Sequence, residues 1–206
     1  YTAATCSQAN VQTAVTSCKN DAQCIQVNVP SGSCSWTSGV TLNKGITLRG
    51  AGTTSTIITG SGGSIISLNG TGGHYRITGF QFRGRCTGGS DFPIEGNFDS
   101  LRMDNLHIAT ATDPCVFVHR QTAWNEILHG YKTTKQRFLF DNINYAPTSC
   151  SRFMMLYGRN KSWQEDDDIG TDNYVFIEDS NFEWGGSCKK YVIDTAFSAR
   201  YVVRFN

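Results

Sequence analysis

Apolar and polar residues alternate in short bursts along this chain, and the bursts repeat. Six segments can be set under one another: "ITLRGAG" (46–52), "YRITGFQF" (75–82), "LRMDNLHI" (101–108), "FLFDNINY" (138–145), "VFIEDSNF" (175–182) and "YVVRFN" (201–206). In this alignment Leu48, Ile77, Met103, Phe140, Ile177 and Val203 occupy one register position. The steps between them run from 26 to 29 residues, except for two of 37 that insertions of about eleven residues would explain.

Four or five alternating residues closed by Gly, Asn or Asp predict a short strand with one face inward and a sharp corner after it. A 26–29-residue step leaves room for about three such strands per repeat. That is the arithmetic of a parallel β-helix, whose coils lie about 4.8 Å apart and stack like residues into ladders. Gly79, Asn105, Asn142 and Asp179 are expected to form one corner ladder, their small side chains bonding along the axis. An antiparallel sandwich would show turn signals every ~8–12 residues without this register.

The first 45 residues differ in kind. Val11, Ala14, Val15 and Cys18 fall at i, i+3, i+4 and i+7, one apolar stripe of a short helix with Ser7 as its N-cap. "IQVNVPSGSCSW" then predicts a strand ended by Pro30 and Gly32. A solenoid's terminal coil has no neighbour to cover its core, so residues 1–45 are expected to be an N-terminal cap and 46–206 the coils. "RYVVRFN" breaks off inside the repeat pattern. An uncapped C-terminal coil is expected there, either continued by further coils or covered by another chain in end-to-end self-association.

Composition narrows the class. A chain of 206 residues suits one domain, or two small ones, and buries roughly 70% of its unfolded surface. With 17% charged residues and a net charge of +1, neither nucleic acid nor an anionic membrane is indicated as a partner. No run approaches the ~20 apolar residues of a membrane span, and the chain from Tyr1 reads as mature, without a leader. Its eight cysteines form no CxxC pair and are poorly spaced against the four histidines for zinc, which favours disulfides and an oxidising compartment. Sequons at Asn69 and Asn160 are compatible with secretion.

The stretches "ATCSQANVQTAV", "VNVPSGSCSWTSGVTLNKGITLRGAGTTSTII", "YVFIEDSNF" and "ARYVVRFN" resemble secreted right-handed parallel β-helix proteins of the pectate-lyase-like superfamily. The resemblance spans nearly the whole chain and rests on scaffold residues. It implies an all-β, right-handed solenoid with a short capping helix, and a superfamily of polysaccharide lyases, glycoside hydrolases, phage tailspikes and adhesins. In related chains a further strand usually follows the equivalent of Arg204 to Asn206. The polygalacturonase motifs (Asn-Thr-Asp, Asp-Asp, His-Gly, Arg-Ile-Lys) and the pectate lyase arginine motif are absent, so any enzyme reading rests on ladder geometry alone.

Counted from the register position, Cys86, Cys115, Cys150 and Cys188 fall nine to twelve residues on, along one edge. Pairing needs Cα atoms within about 7 Å. Cys86–Cys115 with Cys150–Cys188 strands no cysteine; Cys18–Cys24 closes locally, and Cys6–Cys34 ties the helix to the first coil. Free buried thiols are the alternative.

Candidate chemistry falls in two rows. The position after the register residue reads Arg49, Thr78, Asp104, Asp141, Glu178, Arg204, a solvent-facing row whose three successive carboxylates repel. Asp104, Asp141 and Glu178 could form a Ca2+ site of the pectate-lyase type, or a solvated face with arginines at its ends. A second row aligns Ile94, Val118, Leu156 and Ile193 inward and Glu95, His119, Tyr157 and Asp194 outward, a mixture suited to proton transfer. Arg120 and Arg159 could fork a uronate carboxylate, and insertions at 121–136 and 160–173 carry Trp124 and Trp163, the kind that stacks on sugars. The run Asp166, Asp167, Asp168 is a weaker candidate for paired acids. The bland alternatives are surface packing for His119 and Tyr157, and tryptophans folded under their own loops. Two functions follow: an extracellular polysaccharide-binding protein, acting as lyase or hydrolase on uronate-containing glycans, or a non-catalytic adhesive or filament solenoid.

Overall fold

The structure is a computed structural model describing residues 1–60, 64–70, 72–83, 90–93, 99–110, 116–119, 137–146, 152–157, 175–183, 193–196 and 201–204. A single helix, α1 (Gln8–Asn20), precedes β1 (Gln26–Val29), β2 (Gly32–Trp36), β3 (Val40–Leu42), β4 (Thr47–Gly50) and β5 (Thr56–Gly60). There follow β6 (Ile66–Leu68), β7 (His74–Arg83), β8 (Ser90–Pro93), β9 (Ser100–Thr110), β10 (Val116–His119) and β11 (Arg137–Tyr145). The remaining strands are β12 (Arg152–Tyr157), β13 (Val175–Glu178), β14 (Asn181–Phe182), β15 (Ile193–Ala196) and β16 (Tyr201–Arg204).

Every named strand pair is parallel. The widest sheet runs β1-β4-β7-β9-β11-β13-β16, with β2, β5 and β14 attached; a four-stranded sheet runs β15-β12-β10-β8, and β3 pairs with β6. Neighbours in the wide sheet are one sequence repeat apart, so the sheet is strand-rich, mostly parallel and not a closed barrel.

The register position is one continuous row: Val27 pairs with Leu48, then Ile77, Met103, Phe140, Ile177 and Val203. All but the last are buried. Two residues earlier Tyr75, Leu101, Phe138 and Val175 form a second buried row. Beyond the corner Phe80, Leu106 and Ile143 form a third, followed by Phe82, Ile108 and Tyr145. Like apolar groups therefore stack along the axis, and each coil covers the core of the one before it.

Helix α1 packs against the first strands. Ser7 caps α1, its hydroxyl accepting from the Asn10 amide, and the predicted stripe Val11, Ala14, Val15 and Cys18 is the buried face. Gln8 Nε2 donates to the Gly39 carbonyl at 2.8 Å, and Gln12 Oε1 accepts from the Thr41 amide at 2.9 Å, so helix side chains satisfy strand-edge groups. Residues 1–3 cover the edge of β1: Ala3 donates to the Asn28 carbonyl and Asn28 to that of Tyr1. Cys6–Cys34 and Cys18–Cys24 are disulfides, matching the expected pairing. Cys86, Cys115, Cys150 and Cys188 lie outside the described residues. At the other end Val203, in the row that is buried elsewhere, is 48% exposed.

Candidate functional site

The corner ladder forms as the sequence suggests. Gly79, Asn105, Asn142 and Asp179 all have left-handed backbones, with φ of 77°, 49°, 49° and 46°. Glycine enters this region freely, and Asn and Asp are the side chains that tolerate it best. Each corner bends its strand so that the residues on both sides point inward, Met103 and Leu106 in one coil and Phe140 and Ile143 in the next. Asn142 Nδ2 donates to Asn105 Oδ1 at 2.7 Å, along the axis.

Two residues past each corner sits a polar residue, flanked by two buried apolar groups at the first three corners. Gln81 pairs with His107, His107 with Asn144, and Asn144 with Asn181. Ladder and row together line a groove of about 370 Å³, formed chiefly by Asn105, His107, Asn142 and Asn144 with Gly52 and Gly79. Among the described residues, the side chains of His107 and Asn144 make no hydrogen bond. An imidazole and an amide each present a donor and an acceptor to solvent there. In the sequence this row is carried by "NLHI" and "NINY" as a polar residue between two apolar ones just after the corner, a pattern that any half-buried strand shares and that marks no site by itself.

The carboxylate row differs from its expectation. Its register holds, Thr78 beside Asp104, then Asp141, Glu178 and Arg204. Asp104, however, is fully buried rather than solvent-facing. Arg76 donates to both its carboxylate oxygens from Nε and a terminal nitrogen, at 2.9–3.3 Å, and Arg102 pairs with it from the same strand. Arg102 reaches on to Asp141 at 2.7 Å. Glu178 is bound by Arg204, whose guanidinium lies 4.9 Å from the Phe176 ring centroid. Arginines stand beside the row as well as at its ends, because the position two residues earlier carries Arg76 before Thr78 and Arg102 before Asp104, and these two pair across adjacent strands. Each carboxylate is thus neutralised by guanidinium, and among the described residues no three His, Cys, Asp or Glu side chains gather as a metal set.

The four strands expected to carry catalysis do stack as one sheet. Their register is offset from expectation: Val118 pairs with Phe92 and with Met154, and Met154 with Ile193. His119 therefore stands beside Met155, which stands beside Asp194, while Tyr157 pairs with Ala196. A slide of two residues keeps the face but moves the partner along the strand by about 6.6 Å. Glu95, Arg120, Arg159, Trp124, Trp163, the run 166–168 and Asn160 lie outside the described residues. Asn69 is described and exposed.

No helix among the described residues is long and apolar enough to cross a membrane. No family model matches the chain, and neither a curated protein nor a solved structure compared with it does.

Proposed function

We propose that this chain is an extracellular, right-handed parallel β-helix protein of the pectate-lyase-like kind that binds an extended polysaccharide along its corner groove. The parallel, repeat-by-repeat register, the helix at one end and the two disulfides support the fold and the compartment. The observation that carries the function is the uncommitted hydrogen-bonding capacity of His107 and Asn144 beside the Asn105–Asn142 pair. These groups recur at the coil spacing of about 4.8 Å, on the scale of one sugar ring in an extended chain. A polymer lying along the axis meets a similar set of donors and acceptors at each step.

The reading is one of binding, without a cleavage step. In backbone register His119 and Asp194 are two strands apart with Met155 between them, and Tyr157 pairs with Ala196 two residues further along; Glu95 lies outside the described residues. Affinity electrophoresis of the whole chain through gels containing soluble polysaccharides is the test. Retarded migration in at least one polymer is expected; unretarded migration in a broad panel overturns the proposal.

A second reading, a non-catalytic structural or adhesive solenoid, is favoured by the outer face of the wide sheet, where Asp104, Asp141 and Glu178 are each held by arginine. It predicts concentration-dependent self-association in light scattering, and a monodisperse monomer at high concentration would sink it.

A further inference from the structure

We infer that the corner groove selects neutral glycans and rejects uronates. This rests on the glycan-binding reading above and specifies the ligand of that same site. The lining side chains that can hydrogen-bond are the Thr53 hydroxyl, three amides and an imidazole, with no lysine, arginine or carboxylate among them. A hydroxyl both donates and accepts, as an amide does, so a row of amides matches a row of sugar hydroxyls without desolvating a charge.

A uronate needs the reverse. Its carboxylate is best held by a guanidinium fork, and Arg76, Arg102 and Arg204 across the corner are already engaged with Asp104, Asp141 and Glu178. The ladder itself continues from Asn142 to Asp179, an exposed carboxylate one coil further on. A polyanion laid along the groove would meet that charge about 4.8 Å past Asn142, within the range that physiological salt leaves unscreened. Arg83, exposed two residues beyond Gln81, does not line the groove.

The test is titration of the whole chain with neutral polymers (a soluble mannan, xylan and β-glucan) and with polygalacturonate and alginate, at low salt. A neutral polymer is expected to bind at least tenfold more tightly than either uronate. Asn144→Ala and His107→Ala, which remove groups bonded to nothing among the described residues, should each weaken that binding about fivefold with unchanged circular dichroism. Asp179→Asn keeps a residue that tolerates the left-handed corner and should raise uronate affinity severalfold while leaving the neutral polymer unaffected. Uronate binding as tight as neutral binding, lost in the same two variants, overturns the selectivity and leaves glycan binding standing. Neutral binding that survives both variants overturns the site, and absence of binding to every polymer overturns the underlying reading.

Discussion

Asp104 shows how much a single side chain on this face depends on its neighbours. A lone carboxylate without water contact is strongly disfavoured; here two guanidiniums replace the water. Removing one partner of such a pair leaves the rest uncompensated, so Asp104→Ala should cost about 3 kcal/mol of stability, read from urea midpoints. Asp141, whose side chain is 23% exposed, keeps water as an alternative partner, and Asp141→Ala should cost less than about 1 kcal/mol. Equal losses at the two positions would contradict this account. Tyr75 is the second informative residue: burial raises its phenol to about 12. The neutral form is the one the fold favours. Above pH ~10 the unfolded chain releases this proton while the native state retains it. The stabilisation is complete below that pH and is lost as pH rises towards 12, by roughly 2–3 kcal/mol. Midpoints measured from pH 9 to 11.5 should therefore fall more steeply for the parent than for Tyr75→Phe, and parallel slopes would contradict the assignment.

At the scale of the element, the corner joins two short strands into one bent one. The bend needs a left-handed residue, which most side chains occupy at a cost of about 1–2 kcal/mol. Asn142→Ala should therefore lose that amount together with the bond to Asn105, for a total of roughly 2–3 kcal/mol. Asn142→Gly loses only the bond, about 1 kcal/mol. The order Asn, Gly, Ala in thermal midpoint is the expected outcome, and Ala equal to Gly would show that the bond alone matters. Helix α1 illustrates a different element-level rule. Its stripe of four buried residues packs on the first strands, and Gln8, Gln12 and Lys44 Nζ add hydrogen bonds at its margins. That ammonium donates to the carbonyls of Cys18, Asp21 and Cys24 at 2.7–3.1 Å, closing the helix end and the turn after it.

At the scale of the molecule, stability is built up coil by coil, since each register residue packs mainly on the one before and after it. Cross-links then matter according to the span they close. Cys6–Cys34 joins residues 28 apart and Cys18–Cys24 residues 6 apart. On the chain-entropy model these are worth about 3.6 and about 2.2 kcal/mol, so Cys6→Ala with Cys34→Ala should lower the unfolding midpoint more than Cys18→Ala with Cys24→Ala. The opposite order would show that the small loop, not the tie between helix and coil, holds the end. The groove is a property of this same scale: no single coil contains it, and it exists because Asn105 with His107 and Asn142 with Asn144 are brought side by side.

Much of this was legible in the chain itself. The register row from Leu48 to Val203, the corner ladder, the helix stripe with its Ser7 cap and the two N-terminal disulfides all follow from spacing. Alternation, corner residues and short loops are local, and they determine which side chains face inward before any packing is known. Only the tertiary structure decided the rest. Alternation repeats every two residues, so it cannot distinguish His119 beside Met155 from His119 beside Tyr157 when loops of unequal length separate the strands. Nor can it tell an outward carboxylate in water from Asp104, which is buried where Arg76, 28 residues earlier, folds over it from the preceding coil. What a polar row can bind depends on which of its groups neighbouring coils leave unspent, and that is settled by side chains meeting across coils.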